Sequence, residues 1–382
     1  MRKDFIDRGR AHGTIISRTS RRAGARRAGK IRFKNMRKTT LKKLPAALAA
    51  LACCAAFAAD PFVGEYQGTI SGMKTYPYGH SPVMSAQISK HRDGYRLRIL
   101  PELCKRSNDE LLATGLKAEG GKIRLDGAGK WKFSGEITPE AMNFDVSEGK
   151  NSGKISLRKI ERASPTLGAP APAGASTLFD GSSFDGWATA RDGSPVSWKM
   201  VEGGAMEVAK LPGKDANKSQ TIRSKAAFSD FRLHLEFMAC DMPNQEAQQR
   251  SNSGVFIGPY EIQILDSFGA EGLWNDCGAI YRVSPPIANA CLPPEKWQTY
   301  DIDFTAAKFS SDGKLVSAPR VTVFLNGVKV QSDMEIPHAT SIPQPRRDSF
   351  RHPKPPYRIE LQDHGNPVRF RNIWAMPLNA EK

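Results

Sequence analysis

The 382-residue sequence is short of cysteine, of helical periodicity and of long apolar runs, and each shortage excludes something. Two of its six cysteines, Cys53 and Cys54, fall in one apolar run. The other four, Cys104, Cys240, Cys277 and Cys291, are too few for a disulfide scaffold and match no zinc spacing. Cys277 with Cys291 is the pair expected if a bridge forms. There is no G-x-S-x-G elbow, no P-loop, no H-E-x-x-H and no G-x-G-x-x-G opening a helix. The nucleophile-elbow, nucleotide and zincin chemistries that use them find no support, and no metal or cofactor is expected. The apolar run Leu44–Ala59 has 16 residues, short of the ~20 that a membrane helix needs.

Acidic charge is scarce only at one end. The net charge is +17, yet residues 1–43 hold 16 Lys and Arg against 2 Asp and Glu. The remaining residues hold 40 against 37, so the body is not basic and no nucleic-acid partner is expected for it. The alternative for the tail alone is a basic nucleic-acid arm. A basic flank, a short apolar run and the small-residue exit Ala56-Phe57-Ala58 read as a secretory signal. Counted from Met36, that signal is 24 residues long, which makes Met36 the expected start. Export to the periplasm or beyond follows, with membrane attachment only if Cys53 is lipidated.

The body divides by composition. Residues 60–161 carry short period-two runs such as GYRLRIL and GKISLRKI, split by turns such as His91-Arg92-Asp93-Gly94. They predict a small all-β meander or barrel, in which His80 and His91 are loop histidines. Residues 162–176 are rich in Pro, Ala, Gly and Ser and read as a linker. Residues 177–382 form a second β unit, predicted to be a two-sheet sandwich or jelly roll. In FRLHLEFM, Phe231, Leu233, Leu235 and Phe237 share one face and Arg232, His234 and Glu236 the other. VTVFLNGVKV predicts a hairpin on Asn326-Gly327.

Candidate chemistry lies in two segments. Around the Gly258-Pro259 turn, two strands run from Asn252 to Asp266, and Glu261 and Gln263 share a polar face. A bulge near Leu265 would bring Asp266 to that face, giving the two carboxyl groups that glycoside cleavage uses. Solvent-facing strand-end charges are the alternative. Near the C-terminus, YRIELQDHGNPVRFRNIW folds on paper into a hairpin that sets Gln362 and His364 against Arg369 and Arg371. Asp363 reads as a backbone cap. Trp274 and Tyr281 are the aromatics expected to stack on a sugar, and the stretch 337–356 reads either as a loop bordering the groove or as a disordered surface excursion.

At these residues the second unit resembles the 3-keto-disaccharide hydrolase domain family. The resemblance rests on Leu178-Phe179-Asp180-Gly181, Phe184-Asp185-Gly186-Trp187, Asn252-Ser253-Gly254-Val255-Phe256 and Tyr260–Asp266. It continues through Gly278-Ala279-Ile280-Tyr281, Trp297–Ile302, Leu325-Asn326-Gly327 and Leu361–Gly365, ending at Phe370–Ile373. Gln298 departs from the Asn usual after that Trp, and the loop 337–356 is longer. The resemblance implies a concanavalin-like jelly roll and cleavage of glycosides already oxidised at C3. The related β-glucanases carry E-x-D-x-x-E where this chain has E-x-Q-x-x-D, which argues against an ordinary retaining mechanism. Elimination through an enolate is implied instead, with Glu261 or His364 as base, Arg369 or Arg371 at the enolate, Asp266 as acid and Gln263 on substrate hydroxyls. Asn252 joins the expected binding residues. The competing readings are a non-catalytic carbohydrate-binding module and a surface adhesion protein.

Overall fold

The computed structural model describes residues 60–77, 81–106, 112–127, 131–212, 217–343, 346–347 and 349–378. The leader, its signal, Met36, Cys53, Cys54 and His80 lie outside these residues. Among the described residues the fold is all-β apart from one 3-10 turn at Ala247–Gln249, and residues 57–382 form one compact unit with two cores.

The first core lies inside a nine-stranded antiparallel sheet. It starts at Leu112–Leu116 and runs through Gly94–Leu100, Val83–His91, Gly64–Ser71, Asn151–Ile160, Ala141–Glu148, Lys132–Ile137 and Lys122–Gly127 to Ala118–Glu119. The two edge strands are consecutive in the chain and the sheet curls to a nearly closed barrel. Alternation sets the curl's inside: Met142, Phe144 and Val146 are buried while Asn143 and Asp145 are exposed.

The second core lies between two sheets. An eight-stranded sheet includes Phe231–Met238 between Trp297–Thr305 and Arg369–Pro377. A five-stranded sheet runs Trp187–Thr189, Ile222–Phe228, Tyr357–Leu361, Ser253–Ile257, Tyr260–Ile264. Phe231, Leu233, Leu235 and Phe237 are fully buried from one sheet, and Val255, Ile257, Ile262 and Ile264 from the other. The Asn326-Gly327 hairpin is present, with both residues at positive φ.

Residues 162–169 do not hang free between the two β units. They lie along the polar face of the eight-stranded sheet: Thr166 Oγ1 donates to Asp301 at 2.7 Å and Gly168 N to Glu236 at 2.6 Å. His234, 2.7 Å from Asp301 and stacked on Trp374, and Glu236 are almost wholly buried on this face.

The C-terminal hairpin is not formed. Tyr357–Leu361 pairs with strands of the five-stranded sheet, whereas Arg369–Pro377 pairs with Phe231–Met238 across the sandwich. The segment between them crosses from one sheet to the other. Cys277 and Cys291 are in hydrogen-bond contact but are free, buried thiols.

Candidate active site on the outer face of the five-stranded sheet

Strand alternation turns Tyr260, Ile262 and Ile264 into the core and Glu261 and Gln263 outward. Gly254 lies opposite Gln263 and Phe256 opposite Glu261 on the neighbouring strand. A side chain at 254 would displace the Glu261 carboxyl: a Cβ there would meet Glu261 Oε1 at 2.7 Å and Cγ at 3.2 Å. The Glu261 carboxyl thus folds back over bare backbone. On the far side, Gln362 N donates to Gly254 O at 3.0 Å, which brings Gln362 to the same floor.

Two loops wall this floor. From one, Gln248 Oε1 accepts from Asn252 Nδ2 at 3.2 Å, and its amide nitrogen donates to Asn275 O at 2.8 Å. From the other, Gly278–Tyr281 bonds edge-on to the Glu261 strand, with Gln263 N donating to Ala279 O at 3.0 Å and Tyr281 N to Glu261 O at 3.1 Å. Tyr281 carries Trp274 edge-to-face at 5.4 Å, and Trp274 is 44% exposed. The Arg282 guanidinium lies 5.3 Å from the Tyr281 ring centre, on a backbone with φ +58°. From the long stretch 337–356, Thr340 Oγ1 accepts from Glu261 N at 3.0 Å and Arg347 reaches the Arg282 carbonyl.

Glu261 is only 6% exposed. Burial pushes its carboxyl up to about 7, with the Arg282 guanidinium pulling the other way. The Gln263 amide lies 2.9 Å from Gln248 Oε1. With its nitrogen toward Glu261 Oε1 at 3.2 Å and Ser253 O at 3.0 Å, both of its ends find partners. Asn252 Oδ1 and Gln362 Oε1 are buried acceptors with no protein donor. Such groups are costly unless a ligand or water supplies the donor. Among the described residues no group of three His, Cys, Asp or Glu is arranged to hold a metal ion.

The structure therefore gathers Glu261, Gln263, Asn252, Gln362, Trp274 and Tyr281, and adds Gln248, Arg282 and Thr340. His364 is exposed, between Gln362 and the Asn366 side chain that accepts from Asn252 N at 2.7 Å. Three expected members go elsewhere. Asp266 does not return to the Glu261 face: its carboxylate is clasped by Arg250 at 2.6 Å and by Phe268 N, with a side chain 1% exposed. Burial pushes this carboxyl up and Arg250 pulls it down, and with Arg250 and Phe268 N on its oxygens it is engaged away from Glu261. Arg369 pairs with Glu207 at 2.8 Å on the other sheet. Arg371, also there, pairs with Glu236 at 2.6 Å and covers Trp297 at 4.0 Å. Asp363 caps as expected, accepting from Gly365 N and Gln220 N.

Residues 174–376 match the family model of the 3-keto-alpha-glucoside-1,2-lyase-like domain. The chain belongs to this family. A crystal structure from Parabacteroides distasonis described as a candidate glycosyl hydrolase is 35% identical over 55% of this chain and 86% of its own, with a TM-score of 0.48. A second from that organism, so described, is 20% identical over 54% and 94%, with a TM-score of 0.39. None of the curated proteins compared with the chain matches it. The site above thus sits within a glycosyl hydrolase-like domain of the 3-keto-disaccharide hydrolase family, and the nine-stranded barrel lies outside the matched span.

Proposed function

We propose that the sandwich cleaves glucosides already oxidised at C3, by elimination, with Glu261 as the group that takes the C2 proton. The observation that carries this reading is the buried Glu261 carboxyl, held at about 7 over Gly254. Near neutral pH such a group is half ionised and a far stronger base than an ordinary carboxylate. In the proposed step the C2–H electrons become the C1=C2 bond through a C3 enolate. The C1–O bond breaks and its oxygen leaves as an alcohol, taking the proton that the Glu261 carboxyl had accepted from C2. Water then adds across the double bond, completing net hydrolysis.

The surroundings support the same reading. An enolate needs a donor or a positive charge, and Arg282, whose field reaches Glu261, is suited to that role. The orphan acceptors Asn252 Oδ1 and Gln362 Oε1 match donors such as sugar hydroxyls. Trp274 offers an exposed ring for the leaving sugar. A retaining double displacement requires a second carboxyl roughly 5 Å away, and Asp266 is committed to Arg250.

The test incubates wild type, Glu261→Ala and Glu261→Gln with a native and a 3-keto disaccharide. Release from the keto sugar alone, falling about 10²–10⁴-fold in both variants, is expected. Near-wild-type turnover by Glu261→Ala ends the assignment, and binding without product leaves a carbohydrate-binding module. We also propose export, on the basic flank and short apolar run. N-terminal sequencing of the mature protein checks it, with Asp60 as the expected first residue.

A further inference from the structure

We propose that the nine-stranded barrel is a positioning element for the site. Its hairpin, Val83–Leu100, grips the two loops, 241–252 and 266–276, that hold Gln248, Asn252 and Asn275 around Gln263. This inference rests on reading the outer face of the five-stranded sheet as the catalytic face.

The grip on the first loop is made by the hairpin's turn. Arg92, at φ +56°, donates its backbone N–H to Pro243 O at 2.7 Å, and its guanidinium meets Glu246 at 2.6 Å. Lys90 Nζ lies 2.9 Å from Asp241, and Lys90 O accepts from Arg250 Nη1 at 3.2 Å. Two residues after Glu246 comes Gln248, which touches Asn252, Gln263 and Asn275. Arg250 in turn holds Asp266, where the second loop begins.

The grip on the second loop is made by the hairpin's strands. Arg98 Nε donates to Gly269 O at 3.0 Å. Gly269 has φ +70°, and a Cβ there would meet Ser89 Oγ at 3.1 Å, so backbone and barrel are in direct contact. Six residues later the same loop presents Asn275 O to Gln248, and next to it Trp274 packs on Tyr281, whose N–H donates to Glu261 O. The loops that carry the amides around Gln263, tied within the sandwich by Asn366, Asp276 and Asn289, are also braced from behind by a domain that the family model does not include. Misplacing a reacting or orienting group by about 1 Å costs on the order of 10²-fold in rate, so a brace of this kind acts on turnover.

The experiment places like charges across the contact with Lys90→Glu and Arg92→Glu together, then restores opposite charges by adding Asp241→Lys and Glu246→Arg. Three quantities are read: melting temperature, amide exchange of residues 241–252 against the rest of the sandwich, and kcat and KM on a 3-keto-glucoside. The double variant is expected to exchange faster at 241–252 alone, with kcat/KM down about tenfold and kcat bearing part of the loss. The fourfold variant is expected to recover to within about threefold. Unchanged exchange at 241–252, or faster exchange spread evenly over the sandwich, overturns the proposal. So does a fourfold variant that recovers neither rate nor protection. If wild type cleaves no 3-keto sugar, the catalytic reading fails alone, and the loop exchange still decides the brace.

Discussion

Glu261→Gln should make this protein more stable, and only on the alkaline side. Burial holds the Glu261 carboxyl at about 7, against an ordinary 4.5. The folded state therefore binds that proton more tightly than the unfolded chain. The stability it contributes is complete below the unfolded value of 4.5 and is lost as pH rises through about 7. At about 1.4 kcal/mol per unit, the loss is on the order of 3 kcal/mol once the carboxyl is fully ionised. Glutamine matches the shape and never ionises. Its amide still needs partners on a floor already crowded with acceptors, so a net gain of about 1–3 kcal/mol is expected at about pH 8.5. At about pH 4.5 little difference is expected. Urea unfolding of both proteins at the two pH values reads it directly, and calorimetry should show several degrees at the higher pH, at about 2–4 °C per kcal/mol. Equal stability at alkaline pH, or a gain of the same size at both, would refute the argument that this carboxyl is held neutral by burial. The variant that gains stability is also the one expected to lose turnover, as when a site keeps a group strained for its chemistry.

Asp266→Asn should cost about 3–5 kcal/mol in equilibrium unfolding, because it strands a buried guanidinium whose Nη2 already has no protein partner; a near-neutral result would place the pair in water. Gly254→Ala should leave the far-UV spectrum unchanged and lower kcat/KM by about 10²-fold, since the new methyl meets Glu261 Oε1 at 2.7 Å. Unaltered turnover would show that the carboxyl is not seated there. At Glu236, burial raises the carboxyl, but hydrogen bonds from His234, Asn372, Arg371 and Gly168 N outweigh it and hold it at about 2. A depressed carboxyl stabilises above its unfolded value of 4.5 and loses that contribution as pH falls toward 2. Glu236→Gln should therefore destabilise at neutral pH and flatten the acid limb of unfolding, and an acid limb as steep as wild type's would contradict it.

What the sequence made legible was local. Alternation in FRLHLEFM placed Phe231, Leu233, Leu235 and Phe237 in the core, and Asn326-Gly327 marked its turn. Alternation also set Glu261 and Gln263 on one face, because the period of two needs no knowledge of partners. Pairing across the chain was illegible. Tyr357–Leu361 and Arg369–Pro377 are separated by a Gly-Asn-Pro turn that reads as a hairpin, yet each finds partners more than 90 residues away. Asp266 was misplaced for the same reason: its fate depends on Arg250, which only the fold brings to it. Gln248 sits in a polar run without alternation, and nothing in the sequence marks Arg282 as a residue at positive φ. Asn252-Ser253-Gly254 did carry a usable signal, a glycine inside a strand where another group comes close.

The geometry also bears on why an oxidised sugar would suit this face. An unmodified glycoside asks its enzyme for two free carboxyl groups, one to protonate the leaving oxygen and one to attack or to activate water. Here Glu261 is free and the next acid along the strand is locked to Arg250. Glu360, two strands over on the same sheet, is paired with Arg223 at 2.6 Å. On the proposed reading, the activation that a second carboxyl would give comes from the substrate instead, since a carbonyl at C3 makes the C2 proton removable. Under the proposed elimination, selectivity for the keto sugar needs no pocket that measures the ketone. It follows from a site too poor in acids to cleave anything less activated, so native and keto sugars should bind with similar strength and differ in turnover.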